Sequence, residues 1–179
     1  MLIAAAAPLM ASALSPEASI AARDKFNRVV EDQMRPGETI VITEEELNSY
    51  VKYDYAPSIP QGVRGLMVKI HDGSAVVQAV VDFAKVSAGG SGNFLIRMLG
   101  DNKPVISRVI FASSNGMVRV DVDSMQVSGT EMAGMLTTWL VNSFIAPQTD
   151  GFELAKRVPL QHNLDQLNLE PGRIVFIAK

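Results

Sequence analysis

Residues Val63–Phe83 read Val-Arg-Gly-Leu-Met-Val-Lys-Ile-His-Asp-Gly-Ser-Ala-Val-Val-Gln-Ala-Val-Val-Asp-Phe. Two long apolar-rich runs meet at Asp72-Gly73, a dipeptide that favours tight hairpin turns. In the first arm Leu66, Val68 and Ile70 alternate with Gly65, Met67 and Lys69. In the second, Ala75, Val77, Ala79, Val81 and Phe83 share one face. Val76 and Val80 lie on the other, beside Gln78 and Asp82. An antiparallel strand with one wet face alternates cleanly between apolar and polar. The alternation here is incomplete, so both faces are expected to be at least partly covered.

Working outward, a second hairpin turns at Asn115-Gly116, between strands predicted over Val105 to Ala112 and Met117 to Val127. In the latter, Val118, Val120 and Val122 oppose Arg119, Asp121 and Asp123, which gives a wet side. A third, shorter unit turns at Pro171-Gly172 and ends in a strand from Arg173 to Ala178. Helices are expected before and between these units. Ser15-Pro16-Glu17 supplies an N-cap, a proline at the first helical position and an acid in the first turn. Ile20, Phe26, Val29 and Val30 continue a helical stripe until Arg35-Pro36-Gly37 stops it. A short strand, Thr39–Ile42, runs into Thr43-Glu44-Glu45-Glu46, a capping box with Ile42 and Leu47 placed as a hydrophobic staple. A third helix is predicted from a cap at Thr130-Glu131 to about Ile145, apolar over more than half its circumference. Ser87–Gly92 reads as a flexible loop. Phe94–Leu99 is too short for periodicity to choose between helix and strand.

The chain has 179 residues, enough for one domain. With 47 % hydrophobic and 20 % charged residues and a mean hydropathy of +0.16, it is apolar-rich. A net charge of −3, no basic run and few aromatics argue against nucleic acid as a partner. The absence of cysteine excludes disulfides, thiolate nucleophiles and thiolate metal sites. Residues 1–14 are apolar and end near Ala11-Ser12-Ala13, a small-x-small site of the kind signal peptidase cleaves, but no Lys or Arg precedes them. They read either as a signal-peptide remnant or as an apolar arm packed on the domain. They are too short to span a bilayer, which takes about 20 residues. Residues 15–179 form the single domain.

Chemistry-bearing residues are sparse. His71 and His162 are the only histidines and have no metal or triad spacing. Glu44, Glu45 and Glu46 are accounted for by capping, and consecutive helical residues fan apart. Asp121 and Asp123 stand roughly 7 Å apart on one strand face, near the spacing of a glycosidase pair. Arg119 and Gln126 beside them indicate a solvated sheet face, so a hydrolase is the least favoured reading. Ser87–Gly92 is neither a Walker loop nor a nucleophile elbow. No catalytic set, no cofactor and no metal site is expected. Nine methionines, Met67, Met98, Met117, Met125, Met132 and Met135 among them, suit either an ordinary core or an adaptable apolar binding surface.

A family resemblance rests on the order of these pieces. A short strand and capped helix (Ile-Val-Ile-Thr-Glu-Glu-Glu-Leu-Asn-Ser-Tyr) lead to Ile59-Pro-Gln-Gly-Val63 and the long hairpin. Ser124-Met-Gln-Val-Ser-Gly129 runs into the apolar stretch Met132–Phe144, and the tail reads Val158-Pro-Leu, then Leu-Asn-Leu-Glu-Pro-Gly-Arg-Ile-Val. Over about residues 39–179 this resembles the small bacterial envelope relatives of the tubular lipid-binding (TULIP) superfamily, to which the bactericidal/permeability-increasing and SMP-like proteins belong. The resemblance implies an α+β fold in which a strongly curved antiparallel sheet, a meander of long hairpins, wraps one or two long helices. It also implies an apolar groove and no catalytic residues. The expected function is therefore non-catalytic binding or transport of a lipid or other apolar ligand in the periplasm or cell envelope, with peripheral membrane contact. The expected groove residues are Met67, Val77, Phe83, Val109, Phe111, Met132, Met135, Leu136 and Trp139. The alternative is an envelope assembly module in which an exposed apolar helix face docks a protein partner.

Overall fold

The computed structural model of the chain describes residues 13–88, 100–132, 134 and 155–179. Helix α1 (Pro16–Val30) starts at an N-cap, Ser15, whose side chain accepts from the Ala18 N–H. Strand β1 (Thr39–Thr43) leads directly into α2 (Glu44–Tyr53). The expected capping box is formed there, with the Thr43 hydroxyl accepting from the Glu46 N–H and the Glu46 carboxylate from the Thr43 N–H. After a 3-10 turn at Ala56–Ser58 come β2 (Val63–His71), β3 (Ser74–Val81), α3 (Phe83–Ala88), β4 (Lys103–Ser114), β5 (Met117–Val127) and β6 (Thr130–Glu131). The tail adds β7 (Arg157–Pro159), β8 (Leu164–Glu170) and β9 (Arg173–Ala178).

The strands form two antiparallel sheets. The larger runs β2-β3-β4-β5-β6, with β7 beside β6 on the free edge of β5. The smaller runs β1-β9-β8. All three hairpin turns lie where the sequence predicts them. Asn115 and Gly116 both have positive φ, 52° and 69°, as a type I′ turn demands. Pro171-Gly172 has φ 75° at the glycine, as a type II turn demands.

The turns also join the sheets. Gly73 donates to the Leu169 carbonyl (3.0 Å), Gly116 to Asp165 (2.9 Å) and Gly172 to Ile70 (3.0 Å). The tips of the large sheet thus seat along β8, whose outer edge would otherwise expose unpaired peptide groups.

These findings correct the expected fold. Of the described residues, strand makes up 48 % and helix 23 %. The helices are short, at 15, 10 and 6 residues. The large sheet does not wrap a long helix among the described residues. Helix α1 instead lays Ala22, Phe26 and Val29 on the small sheet, against Ile40, Ile42, Leu164 and Phe176. An apolar helical stripe says that a helix packs, not on what. Here β1 pairs with the C-terminal hairpin to form a sheet that takes up that stripe.

The helix predicted from Thr130 is corrected at its start. Ser128 and Gly129 both adopt positive φ, 52° and 79°, and turn the chain back so that Thr130 pairs with Val127. Apart from Met132 and Gly134, the remainder of that predicted helix, through about residue 145, lies outside the described residues, as does Phe94–Leu99. Of the predicted loop Ser87–Gly92, Ser87 and Ala88 close α3 and the rest is likewise outside.

Candidate apolar groove

Cross-strand register fixes which side chains share a face of the large sheet. Val68, Val77, Ser107 and Met125 form one row across β2, β3, β4 and β5. Ile70, Ala75, Val109 and Val122 form the next. Ala79, Val105 and Val127 extend the same face toward α3, and Phe111 with Val120 extends it toward the turns. Over these rows the inner face is apolar except at Ser107, whose hydroxyl lies 3.3 Å from the Ser124 carbonyl; Ser113 and Lys103 stand on the same face at its two ends.

The face is buried at both ends and only half-buried between. At the turn end, Ile70, Ala75 and Leu169 are buried together with Val68, Phe111 and Leu167. At the other end Val81, Phe83, Val105, Met125 and Val127 form a separate buried cluster against which Met132 packs. Val77, Val109 and Val122 lie between the two clusters, belong to neither, and are only half-buried. A strip of branched aliphatic side chains thus lies between two solid plugs.

Local features shape this strip. Strand β2 carries a bulge between Arg64 and Met67, with Gly65 at φ 61°, and β4–β5 carries one beside Arg108 and Val109. Bulges bend a strand and raise its twist, so both curve the sheet. The free edge of β2 is held by α2. Asn48, fully buried, accepts from the Val68 N–H (2.7 Å) and donates to the Val68 carbonyl (2.7 Å), in the manner of a neighbouring strand. Glu44 accepts from the Ile70 N–H (2.8 Å). At the far end Asp82 accepts from the Lys85 N–H (3.1 Å), which lowers its carboxyl below the ordinary range and anchors the start of α3. That anchor sets Phe83 into the end cluster.

The expected groove residues fall into four places. Val77, Val109 and Phe111 share the inner face. Phe83 has no exposed surface and serves as wall, with half-buried Met132 beside it. Met67 is on the opposite, outer face, paired with Gln78 and 41 % exposed, so it cannot line the same strip. Met135, Leu136 and Trp139 lie outside the described residues.

Sequence reading overlooked Val68 and Val122. Val68 was within reach, because the turn at Asp72-Gly73 sets it opposite Val77. Val122 was within reach too, because the turn at Asn115-Gly116 sets it opposite Val109; the bulge at Asp123 lies beyond that pair and hides only that Met125 shares the face.

The outer face of the hairpin is mixed: Met67, Lys69, His71 and Gln78 are exposed, Val76 and Val80 half-buried and Ser74 buried.

The remaining candidates do not converge. Asp121 is held by Arg119 (3.0 Å) and Asp123 lies 3.8 Å from Arg108, both on the solvated outer face. His71 ends β2 and His162 lies in the turn before β8. Among the described residues no group of three or more His, Asp or Glu side chains could hold a metal ion. No helix of those residues is long and apolar enough to cross a membrane. No family model matches this chain, and no curated protein or solved structure matches it either.

Proposed function

We propose that the protein binds a lipid or another apolar ligand, without chemistry, along the inner face of its large sheet. The observation that carries this reading is the strip of Val77, Val109 and Val122, half-buried between two closed clusters. Each of these half-buried side chains still forgoes a fraction, about a third or less, of the ~1.5–3 kcal/mol that full burial of an exposed one gives. An acyl chain laid over the strip recovers that energy and needs no polar partner except at the Ser107 row. The apolar run 1–14 supports action in the periplasm or cell envelope.

Titration with a fluorescent fatty acid tests it. The wild-type chain should bind saturably. Val77→Trp and Val109→Trp, which fill the strip from within, should weaken binding about tenfold or more, a loss of at least about 1.4 kcal/mol. Equal binding by all three proteins, at equal folded fraction, would place the ligand elsewhere. No saturable binding by wild type would sink the carrier reading itself.

A further inference from the structure

The outer face of the large sheet carries a second surface, independent of the groove. Three large apolar side chains stand on it exposed, Met67 at 41 %, Ile106 at 42 % and Ile110 at 40 %. Met67 and Ile106 belong to one cross-strand row, separated by Gln78. Ile110 lies four residues along β4 on the same face, and half-buried Val76 and Val80 fill the strand between.

The charge on this face is the reverse of the chain's. Arg64, Lys69, Arg108, Arg119 and Arg157 lie on it, against Asp121, Asp123 and Glu131, while the whole chain carries −3. Both aspartates sit on β5 and are matched by Arg119 and Arg108. On β2, Arg64 bonds the neutral Asn102 side chain, and Lys69 has no carboxylate partner among the described residues. The unmatched cations therefore flank Met67 at the β2 side.

We infer that this face docks on an anionic lipid bilayer, with β2 to β4 leading. Aliphatic side chains reaching beyond the backbone enter the interface, while long cationic side chains around them meet lipid phosphates. Each Lys or Arg near an anionic surface contributes about 1 kcal/mol. Protein partners usually present mixed charge. A bilayer presents one sign over a wide, soft surface, which suits scattered aliphatics with an unpaired cationic flank. The face is opposite the ligand strip, so docking leaves the strip's own surface free of the bilayer.

Vesicle sedimentation of the full chain tests this, comparing phosphatidylcholine alone with phosphatidylcholine containing phosphatidylglycerol. Wild type should partition to the anionic vesicles and lose most of that binding in high salt. Lys69→Glu replaces an attractive charge by a repulsive one and should lower partitioning roughly thirtyfold. Met67→Ser combined with Ile106→Ser should lower it even where charge is unchanged. These are surface positions, and an unchanged urea midpoint shows that the fold persists. Binding that is indifferent to lipid charge, or that survives all three substitutions, overturns the inference and points to another membrane-active segment. A concentration-dependent dimer abolished by Met67→Ser and Ile106→Ser overturns it as well, in favour of self-association. Fatty-acid binding by soluble protein is read separately, so failure here leaves the groove reading intact.

Discussion

Asn48 should be among the costliest polar residues in the molecule to replace. It is 3 % exposed, and its amide makes three bonds, to the Val68 N–H, the Val68 carbonyl and the Glu44 carbonyl. Asn48→Ala removes the only helix side chain that pairs Val68 on the free edge of β2 among the described residues. Two peptide groups of Val68 then lose their partners, each at about 1–3 kcal/mol when water cannot replace them. Val68 is half-buried, so some water reaches it and the lower half of that range applies. The expected loss is about 2–4 kcal/mol, a large part of the 5–15 kcal/mol typical of a domain. Urea unfolding should show the loss as a lowered midpoint with an unchanged slope. Amide exchange should show faster opening at Val68 and Ile70 than at the paired strands β4 and β5. Glu44→Gln keeps an acceptor for the Ile70 N–H and should change stability far less. A loss below about 1 kcal/mol, with Val68 exchange unchanged, would refute the edge-capping argument.

Other outcomes follow from the same geometry. Phe83→Ala empties a fully buried site and should cost about 3–5 kcal/mol in urea unfolding, because Phe83 acts as wall and not as a wet groove lining. Gly116→Ala should cost about 1–2 kcal/mol, since Gly116 has φ 69° and an added Cβ would lie 3.1 Å from Lys179 Cε; a loss confined to that turn shows in exchange of the Leu160 amide. Burial raises the Glu46 carboxyl pKa, but Lys25 and the Thr43 N–H outweigh it, so the group ionises below its ordinary range. A carboxyl depressed on folding stabilises above its unfolded pKa and loses that stability as pH falls through the folded one. Glu46→Gln should therefore cost about 1 kcal/mol at neutral pH, discounted for partial exposure, and become neutral once both carboxyls are protonated. Asp121→Asn removes a surface ion pair and should leave fatty-acid binding unchanged; a loss of any hydrolytic activity on that substitution would instead revive the enzyme reading.

What could be read in advance was local. Ser15, the Thr43–Glu46 box and the three glycine turns each encode their structure within a few residues, and each formed as expected. The long-range pairings were not legible. Nothing near Thr39 indicates that β1 joins β9, and that pairing created the small sheet on which α1 packs in place of the expected wrapped helix. Ser128-Gly129 was read as the approach to a helix, although both residues tolerate the left-handed conformation that turns β5 back into β6. For the groove, alternation placed Val77 correctly relative to Val81. The bulges beside Gly65 and Asp123 shifted the faces of their strands, and bulges leave little trace in a hydrophobic pattern. Met67 has the residue type of an adaptable apolar lining, but its parity on β2 puts it on the outer face.

Native mass spectrometry of the purified full chain tests the central claim most directly. The account predicts adducts of lipid mass that are displaced by added fatty acid and are depleted in Val77→Trp and Val109→Trp. Protein that emerges free of any apolar adduct, acquires none on incubation with lipid, and behaves identically to both tryptophan variants would contradict it.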